Sequence, residues 1–409
     1  MKRCRHCSNS LETQILDLGK APPSNNYVSQ ENLEREETYY PLKLFVCEKC
    51  WLVQTLDFNL PEELFSAEYA YLSSSSSSFL DHAKNYADKM IERFSLDCDS
   101  LVVEVASNDG YLLRNFVSLN IPSIGIEPTA SAAKISKQYG YEVIEDFFGR
   151  ELALKISNRG DKADLIACNN VFAHVPNIND FTKGLKELLA PNGVITIEFP
   201  HLMELIKFCQ FDTVYHEHYS YLSLISVKNI LKAFDLHIFD IEKIDVHGGS
   251  LRVFASHVAS DHKISKKVLE LEKEEINAGL VNIDTYSNLQ SNALDIKNNL
   301  LEFLLNTKLN KKKVVAYGAA AKGNTMINFA GITKDLIGYV CDKSPLKQNK
   351  YLPGSNIPIF SPEILNTDDS IDYVLILPWN LSAEIQSELD FLRKKGIKFV
   401  IALPELKVF

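Results

Sequence analysis

Between Ser100 and Ile197 the chain alternates short apolar runs with amphipathic stretches, and this pattern restricts its fold more than any other feature. SLVVEV (Ser100–Val105), SIGIE (Ser123–Glu127), ADLIAC (Ala163–Cys168) and Val194–Phe199 are runs of five or six residues rich in β-branched side chains. Strands covered on both faces have this composition. Helical spacing follows at Tyr111–Leu119 and Phe181–Leu189, and Pro191-Asn192-Gly193 reads as a turn. Strand–helix alternation at this pitch predicts an α/β, Rossmann-like doubly wound sheet. Ligands of such sheets bind at the carboxyl ends of the central strands, so the loops there come first in any search for chemistry.

The first strand opens into Glu104-Val-Ala-Ser-Asn-Asp-Gly110, whose small residues and glycine let backbone approach a ligand. Glu127 closes the second strand 17 residues after Gly110, where a carboxylate accepts both hydroxyls of a ribose. Asn169 and Asn170 end the third strand. The loop is not G-x-G-x-x-G, so a dinucleotide fits poorly. Its E-x-A-x-N-D-G form resembles the first motif of Rossmann-like methyltransferases that use S-adenosylmethionine, and its acidity suits a ligand carrying an ammonium and a sulfonium. The expected pocket comprises Glu104, Ala106, Asn108, Gly110, Glu127, Pro128, Asn169 and Asn170. His174 lies a few residues past the third strand; a lone histidine there is more often a structural hydrogen-bonder than a catalyst.

Eight cysteines are present, and four form two C-x-x-C knuckles, Cys4-Arg-His-Cys7 and Cys47-Glu-Lys-Cys50, separated by 39 residues. Each knuckle sets two thiolates on one tight turn at the bite of a tetrahedral ion. The four together predict a closed, structural Zn2+ site, with His6 outside the ligand set and PLKLFVC a strand entering the second knuckle. The remaining cysteines sit in apolar surroundings such as LIACNN, which argues for a reducing compartment over disulfides. No apolar run spans a bilayer and the N-terminus has no apolar h-region, so a cytoplasmic protein without membrane contact is expected. A net charge of −10 disfavours nucleic acid.

The densest concentration of groups able to exchange a proton near neutral pH is Phe211–Ser223, FDTVYHEHYSYLS. A tyrosine-rich strand with its polar tips in water is the plain alternative. Upstream, EYAYLSSSSSSF (Glu68–Phe79) leads into a helix expected from Ser78 to about Phe94, with Tyr69 and Tyr71 just before it. Downstream, Val246-His-Gly-Gly-Ser-Leu-Arg252 reads either as a hairpin or as a substrate-edge loop carrying His247 and Arg252. Residues 258–309 are charged and helical, with no chemistry of their own. The last hundred residues form a second α/β unit. There KVVA (Lys313–Ala316) meets Gly318-Ala-Ala-Ala-Lys-Gly323, a glycine loop opening a helix whose amides suit a phosphate, with Lys322 as countercharge.

Taken in order, C-x-x-C twice, EYxYxSSxSS, ExxSNDG, NNVxAHVPN, FDTVYHEHYSYLS, HGGSLRV, YGAxAKGNT and CDKSPxKQ resemble the nucleotide-sugar C-methyltransferases, typified by the C-3′-methyltransferases of tetronitrose and mycarose pathways. The resemblance spans essentially the whole chain and is most specific at YHEHYSY and GAxAKGNT. It implies a zinc-binding domain at 1–66, a methyl-donor domain at 67–257 and a C-terminal domain at 258–409 that helps hold the nucleotide sugar. The implied substrate is a 4-keto-6-deoxy sugar on dTDP, GDP or CDP, and the implied oligomeric state is a monomer or small homo-oligomer.

By motif matching, His218 is the base that removes the proton beside the ketone. Glu217 and Tyr215 orient the sugar or share the proton, with Tyr69 and His174 at the opposite wall. Tyr71 joins the donor pocket, and His247, Lys322, Asn324 and Lys347 contact the nucleotide sugar. Base and donor must line one water-poor cavity, because a carbanion is useful only with its electrophile in place. Three other readings compete. An O- or N-methyltransferase needs only a deprotonatable hydroxyl or amine. An NAD-dependent sugar dehydrogenase would centre on the C-terminal glycine loop, although G-x-x-x-x-G misses the dinucleotide spacing. A zinc-ribbon nucleic-acid adaptor conflicts with the charge.

Overall fold

The apolar run Val102–Val105 (β1) is wholly buried and lies inside a seven-stranded sheet, next to its middle strand. The other strands are Ser123–Ile126 (β2), Glu142–Ile144 (β3), Ala163–Asn169 (β4), Leu189–Pro200 (β5), Leu236–Ile244 (β6) and Ser250–His257 (β7), in the order β6-β7-β5-β4-β1-β2-β3. Strands β1 to β5 pair in parallel, while β7 pairs antiparallel with both β5 and β6. The chain runs outward from β1 on one side and returns to β4 on the other, so the crevice lies beyond the ends of β1 and β4. This computed structural model describes residues 2–57, 72–75 and 77–409; Tyr69 and Tyr71 fall outside them.

Helix α1, Ser77–Phe94, covers the sheet with Ala83, Tyr86, Ala87 and Met90. Their helical spacing lays them on Val102, Leu113, Phe116, Leu165, Val194 and Phe254. Pro191-Asn192-Gly193 is not a separate turn between helix and strand: β5 runs through it. Pairing jumps from Ala163↔Leu189 to Leu165↔Val194, so the expected turn is extruded as a bulge across which the register shifts. At the far end of β5, fully buried Glu198 accepts from Arg252 of β7 at 2.6 Å and lies 2.9 Å from His82 of α1. Arg252 is therefore spent on tying strand to strand, and HGGS forms the β6–β7 hairpin turn, with His247, Gly248 and Gly249 all at positive φ.

Chain contacts gather Met1–Thr13, Val46–Leu202 and Tyr219–Asn282 into one compact unit, and Gln14–Phe45, Met203–His218 and Ile283–Phe409 into another. In the first, Val53–Gln54 pairs antiparallel with Ser220–Tyr221.

The second unit holds a six-stranded sheet of Val314–Tyr317 (β8), Val340–Cys341 (β9), Ile359–Phe360 (β10), Tyr373–Ile376 (β11), Lys398–Ile401 (β12) and Lys407–Val408 (β13). The order is β10-β9-β8-β11-β12-β13, parallel except for β13. Val315, Val374, Ile376, Leu392 and Phe399 are central to its core. The glycine loop after β8 opens helix α2, Ala321–Ala330. Gly318 has φ +87°, and a Cβ there would strike Pro378, so no other residue fits this turn. The segment carrying FDTVYHEH packs on α2, with Phe211 against Phe329 and the Thr325 hydroxyl donating to the Val214 carbonyl at 3.0 Å.

Candidate active site

In the first unit the loop after β1 is wound through left-handed backbone at Ala106, Asn108 and Gly110. Gly125 in β2 makes room for it, since a Cβ there would meet the Ser107 side chain at 2.7 Å. Glu127 holds the loop from across the sheet end: its carboxylate accepts from the Asn108 amide at 2.9 Å and the Thr129 amide at 2.8 Å. The serine run contributes as well, because the Ser73 amide donates to Asn108 Oδ1 and the Ser74 amide to Asp109 Oδ2.

This pocket is rich in unmet acceptors. Among the described residues, Glu104 Oε2, Ser107 Oγ, Asp109 Oδ1, Asn169 Oδ1 and both side-chain atoms of Asn170 are buried without a partner. Burial pushes the Glu104 carboxyl well above the usual carboxylate range, and the nearby Asp109 and Glu127 charges push it further. Burial raises Glu127 too, with Asp109 adding to the effect. Such a set of buried, unmet acceptors fits a cation bearing hydroxyl and amino donors, which is the chemistry of S-adenosylmethionine. Pro128 flanks Glu127 and is half-buried, and His174 ends a short 3-10 turn beyond β4.

Also in this unit, the Cys4, Cys7, Cys47 and Cys50 sulfurs all lie within 4.8 Å of one another. Cys4–Cys50 and Cys7–Cys47 are each 3.5 Å apart, close to the ~3.8 Å edge of a zinc–thiolate tetrahedron with bonds of about 2.3 Å. The four thiols therefore fit Zn2+, with no open position for substrate. His6 is engaged elsewhere, on Asn179 at 2.8 Å. Gln54 links the knuckles to the following strand by donating to Cys4 Sγ at 3.2 Å.

In the second unit, His218 Nδ1 lies 3.0 Å from the Thr213 carbonyl, which accepts only from a protonated nitrogen. That tautomer, assigned from the hydrogen-bond network, leaves Nε2 as the lone pair, and the Tyr215 hydroxyl donates to it at 2.8 Å. Glu217, 2% exposed, accepts from Asn25 Nδ2 through both carboxylate oxygens. His216 turns away to the Tyr40 carbonyl at 3.3 Å, and burial lowers its pKa.

The glycine loop is fixed by the C-terminal residues. The Ala319 amide donates to Asp342 Oδ2 at 2.7 Å, and its carbonyl accepts from Tyr27 and Lys347. Burial pushes the Lys347 ammonium down, but Tyr27 and Asp342 beside it outweigh this and hold it above lysine's ordinary value. Lys322 instead donates to Asn380 at 2.7 Å and lies over the Trp379 ring; burial lowers its pKa against the pull of Asp212. Asn324 is buried with neither side-chain atom partnered among the described residues. Sequence reasoning missed Asn25, Tyr27, Asp212 and Trp379. No local motif marks the first two; Asp212 at least stands inside the FDTVYHEH stretch.

The sheet and its donor pocket define a methyltransferase that uses S-adenosylmethionine. Three family models match in succession: a zinc binding domain over residues 4–65, a methyltransferase domain over 79–240 and a C-methyltransferase C-terminal domain over 245–404. C-methyltransferase NovU of Streptomyces niveus is 34% identical over 406 residues, covering 99% of this chain and 96% of that protein. The chain belongs to this family of C-methyltransferases. Two solved structures overlay on less than half of it. The PH0226 protein of Pyrococcus horikoshii matches at 14% identity over 46% of this chain and 95% of its own, with TM-score 0.38. Magnesium protoporphyrin IX methyltransferase of Synechocystis matches at 13% identity over 44% and 79%, with TM-score 0.34. Overlays at these scores add nothing to the assignment. No helix among the described residues is long and apolar enough to cross a membrane.

Proposed function

We propose that the enzyme transfers the methyl group to carbon 3 of a 4-keto-6-deoxy sugar carried on a nucleoside diphosphate. The observation that carries this reading is the His218–Tyr215 pair, an imidazole whose lone pair is held in place by its Nδ1 bond to Thr213. Methylation at oxygen or nitrogen starts from an acidic or already nucleophilic atom. Methylation at carbon needs a base able to take a proton from a C–H bond, and a neighbouring ketone brings that proton within reach of an imidazole.

His218 removes the proton, and Tyr215, bonded to the same nitrogen, orients the sugar or passes the proton on. Glu217 fixes a sugar hydroxyl or shares the proton. His174 and Tyr69 are assigned to the same reaction as further catalytic side chains. S-Adenosylmethionine would supply a sulfonium methyl, and Glu104, Asp109, Glu127, Asn169 and Asn170 would hold its charged and hydroxyl groups, with Ala106, Gly110 and Tyr71 assigned to the same ligand. The diphosphate is assigned to the amides of the glycine loop, with Lys347, Lys322 and Asn324 around it and His247 at the sugar edge. Asp342 accepts from the Ala319 and Ser344 amides and so helps to shape the glycine loop.

The test incubates the protein with S-adenosylmethionine and a panel of dTDP-, GDP- and CDP-linked 4-keto sugars in deuterated buffer. A mass gain of one methylene on one of them, with exchange of the proton beside the ketone when the donor is withheld, supports the reading. Methylation without labilising that C–H bond sinks it in favour of oxygen or nitrogen transfer.

A further inference from the structure

We infer that Asn25, in a loop with no recognisable motif, is the positioning residue for the Glu217 carboxylate, and that it ties this group to the glycine loop. The inference rests on the proposed role of Glu217 in handling the sugar.

A glutamate has three rotatable bonds, and a carboxylate that must meet one hydroxyl or one proton needs them locked. Asn25 supplies the lock. Its Nδ2 lies 2.8 Å from Glu217 Oε1 and 3.0 Å from Oε2, so the amide nitrogen bridges both oxygens. The opposite amide orientation would put two acceptors face to face, so the nitrogen must point at the carboxylate. The carboxamide's other end faces the Tyr27 hydroxyl at 3.3 Å, and that hydroxyl donates to the Ala319 carbonyl at 2.6 Å.

The loop itself is short and pinned. The Asn26 amide bonds the Pro23 carbonyl and the Tyr27 amide the Asn25 carbonyl, while Ser24 Oγ lies 3.4 Å from Thr325 Oγ1 on α2. Asn25 therefore cannot follow Glu217 if the carboxylate swings away. Ala319 is held in turn by Asp342 and Lys347. The loop suited to a diphosphate and the carboxylate suited to the sugar thus meet at one tyrosine, whose single proton is shared unequally between the Ala319 carbonyl at 2.6 Å and Asn25 Oδ1 at 3.3 Å.

The test compares wild type, Asn25→Ala and Asn25→Asp between pH 5.5 and 8.5, with S-adenosylmethionine and a 4-keto nucleotide sugar. Unchanged S-adenosylmethionine affinity by calorimetry certifies folding, and the near-isosteric Asn25→Asp keeps the test decisive if Asn25→Ala does not fold. Both variants lose about ten- to a hundredfold in kcat with KM within about threefold, as expected for a misplaced group. The Asn25→Asp deficit relative to wild type shrinks as pH falls, because one proton shared between two carboxyls restores a donor. The Asn25→Ala deficit does not recover. Unchanged kcat in either folded variant, or an Asn25→Asp deficit that ignores pH, overturns the assignment while leaving the substrate reading intact. A wild type inert on every 4-keto sugar overturns both.

Discussion

The Tyr215 hydroxyl lies 2.8 Å from His218 Nε2, with the two rings 4.0 Å apart and inclined by 33°. The Thr213 carbonyl fixes the imidazole from its other side, so the proton inventory of the pair is defined: one on Nδ1, one on the phenol and a lone pair on Nε2. A proton leaving carbon has two routes to that lone pair. Either the substrate displaces the phenol, or the phenol oxygen takes the proton as it surrenders its own.

Substitutions at the pair distinguish these routes. His218→Asn removes the lone pair and is expected to cost about 10²- to 10⁴-fold in kcat, the usual contribution of a positioned acid–base group. Tyr215→Phe lowers kcat comparably if the phenol relays the proton, and that is the outcome expected from the short bond. Neither change alters S-adenosylmethionine affinity, which is measured in the same preparations. Wild-type turnover by His218→Asn would remove this histidine from the mechanism.

The acidic donor pocket makes cofactor binding pH-dependent. Burial raises the Glu104 carboxyl well above its ordinary 4.5, and Glu127 is raised from the same value. A carboxyl raised by folding stabilises the protein below its ordinary pKa, and that contribution is lost as pH rises through the folded-state value. The protein without cofactor should therefore melt progressively lower as pH climbs from about 4.5. A bound cation favours the ionised forms, so the rise in Tm produced by S-adenosylmethionine grows over the same interval. Glu104→Gln flattens its share of both slopes. Thermal melts from pH 5 to 8.5 with and without cofactor decide it; a cofactor-induced shift independent of pH would refute the electrostatic account.

Much of this arrangement is readable from local sequence, for identifiable reasons. Val102–Val105 and Ala163–Asn169 are short and unbroken because both faces of the sheet are covered, and the four thiols announce themselves by spacing. Pro191-Asn192-Gly193 misleads, since turn residues also serve a bulge and only pairing with Ala163 and Leu165 tells the two apart. Arg252 invites a functional reading as a cation beside glycines, yet Glu198 takes up its donors. Asn25 is illegible for a different reason. Its partner lies 192 residues away, and nothing near either residue encodes the meeting.

Loss of zinc should reach the segment that follows His218. Val53–Gln54, directly after the second knuckle, pairs with Ser220–Tyr221, and the Thr55 amide bonds the Tyr219 carbonyl at 3.1 Å. Structural zinc contributes on the order of 10 kcal/mol to the fold around it, comparable with the whole stability of a domain. One zinc per chain is expected by metal analysis. Chelation should lower Tm and speed hydrogen exchange at Tyr219–Tyr221 together, and Co2+ should restore both with the spectrum of a tetrahedral thiolate site. Full stability and slow exchange after complete removal of metal would show that the knuckles hold without it.

Asp212 and Trp379 form a second titrating contact, in which the indole donates to Asp212 Oδ2 at 2.7 Å. Asp212 is 1% exposed and borders an apolar cavity lined by Leu300, Met326, Leu377 and Leu403. Burial pushes its carboxyl up to about 6 from 3.8, although Lys322 and the indole both favour the charged form. The stability it contributes is complete below pH 3.8 and is lost as pH rises to about 6, amounting to roughly 3 kcal/mol at most. Asn at this position keeps an acceptor for the indole and carries no charge. The stability of Asp212→Asn relative to wild type should therefore improve steadily between about pH 4 and 6.5 and level off above. Trp379 reports the same event directly: its fluorescence should titrate near pH 6 in wild type and not in Asp212→Asn, with Trp379→Phe isolating the signal from Trp51. A wild-type emission that stays constant across this interval would mean that the carboxyl beside the indole ionises at its ordinary, lower pH.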